Sequence, residues 1–286
     1  MRCVKSQVLS VIVACGLFAS PLLAAQNTSI KLPDAPLLSD EDEDSAYNWT
    51  GLYAGGSLGL SLQRQNWMTR AIGLSSNTDP AIYNSSSASA PFGTLNIRSS
   101  AHLGFNVQIQ ESYLAGVELD AGLLRDKGRQ IQGIPGTYGA LTPITSVNLV
   151  DRITRKAIWD ASLRGRIGYL ASPSMLVSAT GGLALMALRT DIDCPAQTPI
   201  SSFCTSPRQQ TLSQIRKGWT LGMGLESNIG DSAWSMRLDY RFSYFRPVDQ
   251  TFFNSSARDS FTARQGLSTH LVSMGLNYSF ADLITP

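Results

Sequence analysis

The chain has 286 residues, with 23 Lys+Arg against 21 Asp+Glu, two histidines and four cysteines. Two of the cations, Arg2 and Lys5, belong to an N-terminal leader; without them 21 charges of each sign remain, which excludes the strongly basic surface of a nucleic-acid binder. No apolar run is long enough for a membrane-spanning helix, so a membrane location would require a closed barrel.

Arg2 and Lys5 precede an apolar run from Val8 to Phe18, and Pro21-Leu22-Leu23-Ala24-Ala25 then supplies small residues before Gln26. This is the layout of a secretory signal peptide cleaved after Ala25. Ile12-Val13-Ala14-Cys15 offers a competing reading as a lipoprotein cleavage box, but it would leave Gly16 to Ala25 as an unexplained apolar stretch. Residues 26–48 carry Pro33, Pro36 and the block Asp40-Glu41-Asp42-Glu43-Asp44, which repels itself and buries nothing. They are expected to form a disordered periplasmic linker; the sharper alternative is a site for a basic partner or divalent cations.

From Trp49 onward, eight segments alternate in polarity: 51–64, 97–110, 112–125, 156–170, 174–190, 215–229, 233–246 and 264–280. The strictest is 234–245, where Trp234, Met236, Leu238, Tyr240, Phe242 and Tyr244 share one parity and Ser235, Arg237, Asp239, Arg241 and Ser243 the other. Successive side chains point to opposite faces of a strand, so one face of each segment is apolar and the other polar. The first segment fits less cleanly, and the fifth is apolar on both faces. Two barrels could produce this pattern: a soluble lipocalin-like one with an apolar interior, or an outer-membrane one with the faces reversed. The connections alternate between long (65–96, 126–155, 191–214, 247–263) and tight (111, 171–173, 230–232), the sidedness of an outer-membrane barrel. Within the segments and their loops lysine occurs only as Lys127, Lys156 and Lys217, too few for a soluble surface. The expected fold is therefore all-β, an eight-stranded antiparallel transmembrane barrel over residues 49–280. Trp49, Tyr113, Tyr169, Trp234, Tyr278 and Phe280 would form one interfacial girdle, and Trp159, Trp219 and Tyr244 the other.

An eight-stranded barrel is narrow enough for side chains to fill. Arg164, Arg166, Arg237 and Arg241 must then pair with Glu118, Asp120, Asp160, Glu226 and Asp239 as a lumen charge network, with a leaky pore as the alternative. At the outward ends of the segments stand Arg64, Arg98, Arg125, Lys156, Arg189, Arg216, Lys217, Arg246 and Arg264. Such a ring suits lipopolysaccharide phosphates, which arginine binds through charge-assisted hydrogen bonds; the plainer reading is that strand ends border hydrophilic loops. Cys194 and Cys204 share one loop of an oxidising compartment and are expected to form a disulfide. His102 falls on the interior parity and His270 on the lipid parity, so neither suggests a heme pocket, and no acid joins Ser268 and His270 in a catalytic constellation.

The segments Tyr47-Asn48-Trp49-Thr50-Gly51-Leu52-Tyr53-Ala54-Gly55-Gly56, Leu163-Arg164-Gly165-Arg166-Ile167-Gly168-Tyr169, Ala179-Thr180-Gly181-Gly182-Leu183-Ala184, Gly218-Trp219-Thr220-Leu221-Gly222-Met223-Gly224-Leu225-Glu226 and Val272-Ser273-Met274-Gly275-Leu276-Asn277-Tyr278-Ser279-Phe280 resemble the opacity-type outer-membrane β-barrel family. Its alphaproteobacterial members are small surface proteins, some described as hemin-binding or porin-like. The resemblance implies that Tyr278 and Phe280 carry the signal read by the outer-membrane assembly machinery. Family members usually end on that aromatic residue, whereas here Ala281 to Pro286 follow. The expected function is that of a non-enzymatic, cofactor-free outer-membrane protein of a Gram-negative bacterium, supporting envelope integrity through lipopolysaccharide and outer-membrane lipid contacts and displaying loops to host surface molecules. The competing reading is a small-solute porin or a hemin-binding protein.

Overall fold

The computed structural model describes residues 47–73, 89–110, 112–136, 151–195, 207–230, 232–253 and 260–280. The signal segment with Ala25, the acidic block and the residues after Phe280 lie outside them. Among the described residues nine strands form: β1 (Gly51–Gly73), β2 (Ser89–Ile109), β3 (Tyr113–Arg125), β4 (Arg129–Gln132), β5 (Arg152–Ser172), β6 (Met175–Cys194), β7 (Arg208–Asn228), β8 (Trp234–Phe252) and β9 (Ser260–Ser279). All pairings are antiparallel; β9 pairs with β1, and β3 with β5, so the sheet closes on itself. β4 continues β3 along the same edge of β5. The wall thus has eight staves, one of them broken at Asp126-Lys127-Gly128. The Asp126 carboxylate caps that break, accepting hydrogen bonds from the backbone N–H of Gly128 and of Ala157, each at 2.8 Å. Gly128 supplies the left-handed backbone there, with φ of 82°.

The staves run much further outward than the alternation predicted: β1 continues to Gly73, β2 begins at Ser89, β5 at Arg152, β7 at Arg208 and β9 at Ser260, while β8 continues to Phe252. The missed residues are apolar on the inner face, the reverse of the pattern sought. Trp67, Phe92, Ile153, Ile192, Phe252 and Phe261 are all buried within the barrel and pack together. In β5 and β8 the phase of the alternation also changes at bulges, between Ala157 and Trp159 and between Phe245 and Val248. Each bulge inserts residues that turn the following side chains onto the other face, and Pro247 sits in the second, where a missing N–H costs no ladder bond.

The outer surface of the lower two-thirds is a continuous apolar band. Leu58, Leu95, Leu123, Ile167, Leu183 and Met223 are each more than 60% exposed, a pattern that water would penalise and a bilayer would not. At its periplasmic edge aromatic rings pair across strands: Tyr113 with Tyr169 at 5.6 Å, Trp234 with Tyr278 at 5.1 Å, and Tyr278 with Phe280 at 5.0 Å between centroids. At its outer edge Trp219 packs on Tyr244 and Phe242. Trp49 is not part of the girdle. It is buried against Leu114 and Leu176, and its indole N–H donates to the Pro173 carbonyl, plugging the periplasmic end.

Candidate functional site

The lumen is layered. Above the Trp49 plug, five arginines meet five carboxylates. Glu118 of β3 accepts from Arg164 and, at 2.7 Å, from Arg237; Arg237 also holds Asp239 at 2.6 Å. Arg241 bridges Asp120 at 2.6 Å and Asp160 at 2.8 Å, and Arg166 pairs with Glu226. The fifth cation is Arg98, which was expected on the outer rim. It is only 2% exposed and binds Asp160 at 2.7 Å and Asp120. With it the network is balanced, five charges against five, as burial in a narrow interior demands. Alternation that starts at Ile97 puts Arg98 at a strand end, whereas its shared parity with His102 carries the inward signal.

Neutral groups extend the network, while Arg164 Nε and Arg166 Nε stay buried without a partner among the described residues. The Tyr53 hydroxyl donates to Glu118 at 2.7 Å and accepts from Arg166 at 3.2 Å, while the Arg166 guanidinium lies 5.7 Å from the Tyr53 ring centre. Asn277 hydrogen-bonds both His102 and Glu226, and Ser235 donates to Glu226 at 2.6 Å. Inward glycines make room for this. A Cβ on Gly104 would strike the Tyr53 ring, and one on Gly122 the Arg98 guanidinium. The cavity left among these charges is about 10 Å³, at the lower limit for one water molecule. Side chains of the network fill most of the described lumen at this level.

Arg216 is a second correction to the rim. It is 3% exposed and faces inward, donating to the backbone carbonyls of Arg246 and, at 2.9 Å, of Gln265. The other rim residues face outward. Arg64, Arg125, Lys217, Arg246 and Arg264 are exposed, and Lys156 and Arg189 partly so. Arg189 pairs with Asp191 at 3.0 Å, but Arg64, Arg125, Lys156, Lys217, Arg246 and Arg264 make no ion pair among the described residues. Lys156 sits directly opposite Arg189 across the β5–β6 ladder.

Cys194 is disulfide-bonded, and Cys204 lies outside the described residues. His102 is taken up by Asn277, and His270 shares a 2.9 Å hydrogen bond with the Tyr240 hydroxyl on the outer face. The described residues hold no His, Cys, Asp and Glu grouping suited to a metal. Phe280 extends the last stave, its N–H donating to the Leu52 carbonyl at 2.8 Å. Sequence reasoning missed Tyr53 as a hub of the network, the inward Arg155, and the upper aromatic core. Tyr53 had a signal in its odd parity with Gly55 and Gly59; Arg155 had none, because it lies beyond the bulge in β5.

A family model described as "Outer membrane protein beta-barrel domain" matches residues 15–280. The 31 kDa outer-membrane immunogenic protein of Brucella melitensis is 25% identical over 281 residues, covering 96% of this chain and 100% of that protein. The 22 kDa outer membrane protein of Rhizobium leguminosarum is 25% identical over 171 residues, 60% of this chain and 69% of its own length. Among solved structures, OprG from Pseudomonas aeruginosa is similar at 11% identity and a TM-score of 0.42, covering 81% of this chain and 96% of that one. The chain belongs to the outer membrane protein β-barrel domain family and is an outer-membrane protein of a Gram-negative bacterium.

Proposed function

We propose that this barrel is a non-enzymatic surface protein that supports the envelope by binding lipopolysaccharide with its outward cations, while its lumen stays closed and its connecting loops face the exterior. The observation that carries this reading is the set of six outward cations without a carboxylate partner among the described residues, standing around and above the outer aromatic edge. Lys156 and Arg189 face each other across the β5–β6 ladder with only Asp191 beside them, so two cations share one carboxylate and a further anion is favourable there. Phosphate groups at the outer-leaflet surface supply that anion, and arginine can hold them through two hydrogen bonds at once.

A closed lumen is supported by the balanced charge network and the small residual cavity within it. The name of the Brucella relative, an immunogenic protein, fits loops presented at the cell surface. A solute-porin or hemin-uptake role would need an open path or an available histidine, and both histidines already have hydrogen-bond partners. The test is a triple charge reversal, Arg64→Glu, Arg246→Glu and Arg264→Glu, in the full chain expressed in its outer membrane. Lipopolysaccharide co-purifying with the barrel should fall severalfold, and cells should become more sensitive to detergent. Unchanged co-purification would reject the lipid reading. A hemin-uptake or conductance defect in a deletion strain with a normal envelope would favour transport.

A further inference from the structure

Above the charge network the lumen narrows to an apolar collar of Leu124, Ala157, Ala184, Met186, Leu188, Phe245 and Leu267, and higher still lies the aromatic core around Trp67. Two arginines are buried at this outer end of the barrel. Arg155 of β5 is 1% exposed and Arg216 of β7 is 3% exposed. The arginines of the lower network all have carboxylate partners; these two have none among the described residues.

Their donors are also unmet. Arg155 makes no hydrogen bond to a described residue, and its Nε and Nη1 are both buried without a partner. Arg216 spends Nη2 on two backbone carbonyls and leaves Nη1 without a partner. The Nε2 amide of Gln265, whose own carbonyl accepts from Arg216, is unpartnered too. Gln265 lies directly across the β1–β9 ladder from Trp67, and the Arg155 guanidinium lies 5.9 Å from the Trp67 ring centre and 5.8 Å from that of Phe92. Aromatic faces attract the charge but leave in-plane N–H groups without acceptors. Arg155 and Arg216 are both buried and close enough to repel each other, so the protein alone disfavours two cations here. Four unmet donor nitrogens and two like charges, with no described carboxylate in ion-pair contact with either guanidinium, call for an anion; the buried Asp151, just before β5 on the same inward parity as Arg155, has an interaction of its own.

We infer that Arg155 and Arg216, with the Gln265 amide, bind one compact inorganic anion, chloride or phosphate, inside the outer part of the barrel. Set between the apolar collar and the aromatic core, the ion would be a structural component that stabilises the extended staves. Its site is inside the lumen and so independent of the outward cations assigned to lipopolysaccharide.

The test uses the full-length refolded barrel in a zwitterionic detergent. Its melting midpoint is followed as sodium chloride, or sodium phosphate, replaces sodium gluconate at constant ionic strength, gluconate being far bulkier than a compact inorganic anion. The midpoint should rise with the logarithm of anion concentration, by about 3 °C or more for each tenfold of anion above its dissociation constant. The phosphate and chloride arms tell an oxyanion from a halide. A double variant, R155M with R216M, should melt above the wild type in gluconate and lose the response. The single variant R155M keeps Arg216 and should need at least tenfold more anion for the same rise in midpoint. A wild type that does not respond, or variants that respond as the wild type does, would overturn the inference.

Discussion

The lower and upper parts of this barrel are built from the same eight staves and are inside out with respect to each other. Below the Trp219–Tyr244 edge the outer face is Leu, Ile, Val and Met and the inner face holds five ion-paired arginines. Above it the outer face carries Arg64, Asn66, Arg70 and Arg246, and the inner face carries Trp67, Phe92, Ile153, Phe252 and Phe261. The pleat is the same throughout; the surrounding medium is what changes. A wall facing lipid must hide its charge inside, and one facing water can again bury its apolar residues. The lower part is held by directional polar bonds and the upper part by packing, so the two should fail differently.

Breaking the lower network should have the largest effect. Glu118→Ala leaves Arg164 and Arg237 without their shared carboxylate and Tyr53 without its acceptor. It is expected to cost about 3–5 kcal/mol, as breaking buried ion pairs does. Urea unfolding of the detergent-refolded barrel should show a single transition at a much lower midpoint. Trp67→Ala removes the centre of the upper core, which packs on Phe252 at 5.5 Å and Phe92 at 6.1 Å. A similar loss of about 3–4 kcal/mol is expected from a large core truncation, but confined to the outer part. Hydrogen exchange should quicken in residues 64–73, 89–94 and 260–267 while the staves below Tyr244 stay protected. Equal loss of protection in both parts would show that they form one cooperative unit.

Gly122→Val places a side chain where the Arg98 guanidinium lies. Displacing that arginine from Asp120 and Asp160 is expected to cost about 1–3 kcal/mol, and planar-bilayer recordings should remain silent if the other four arginines keep the lumen closed. Asp126→Ala removes two local hydrogen bonds at the broken stave and should cost only about 1 kcal/mol. Its signature is faster exchange at Gly128 and Ala157 alone. The smallest change is expected from Lys217→Gln, an exposed cation without an ion pair among the described residues, at under about 0.5 kcal/mol; any effect should show in lipid binding and not in folding.

Much of the lower part was legible beforehand. The alternation of Trp234 to Tyr244, repeated across the staves, located the outward band and the nine predicted lumen charges, and Glu118, Asp120, Asp160, Arg164, Arg166, Glu226, Arg237, Asp239 and Arg241 do meet inside the barrel. The stave ends were misplaced because an apolar-outward template loses its signal where the medium changes, so residues such as Trp67 and Phe261 were assigned to loops or to no face. Arg98 and Arg216 then fell at false strand ends and were read as rim cations, although Arg98 shares its parity with His102 and Arg216 with Glu226. The fifth segment looked ambiguous for a sound reason: β6 lines the apolar collar with Ala184, Met186 and Leu188 on its inner face and meets the band with Val177, Leu183 and Leu185 on its outer one.

The sequence by itself determined that this protein is a closed barrel with an apolar belt and a charged interior, because strand periodicity and loop sidedness are local properties of the chain. Only the tertiary structure decided how far the staves rise beyond the belt, that Arg98 completes the charge balance, and that Arg155 and Arg216 stand buried without acids. Those facts depend on register across neighbouring strands and on two bulges that shift the alternation. Which side chains then share the lumen follows from closing all eight staves into one ring.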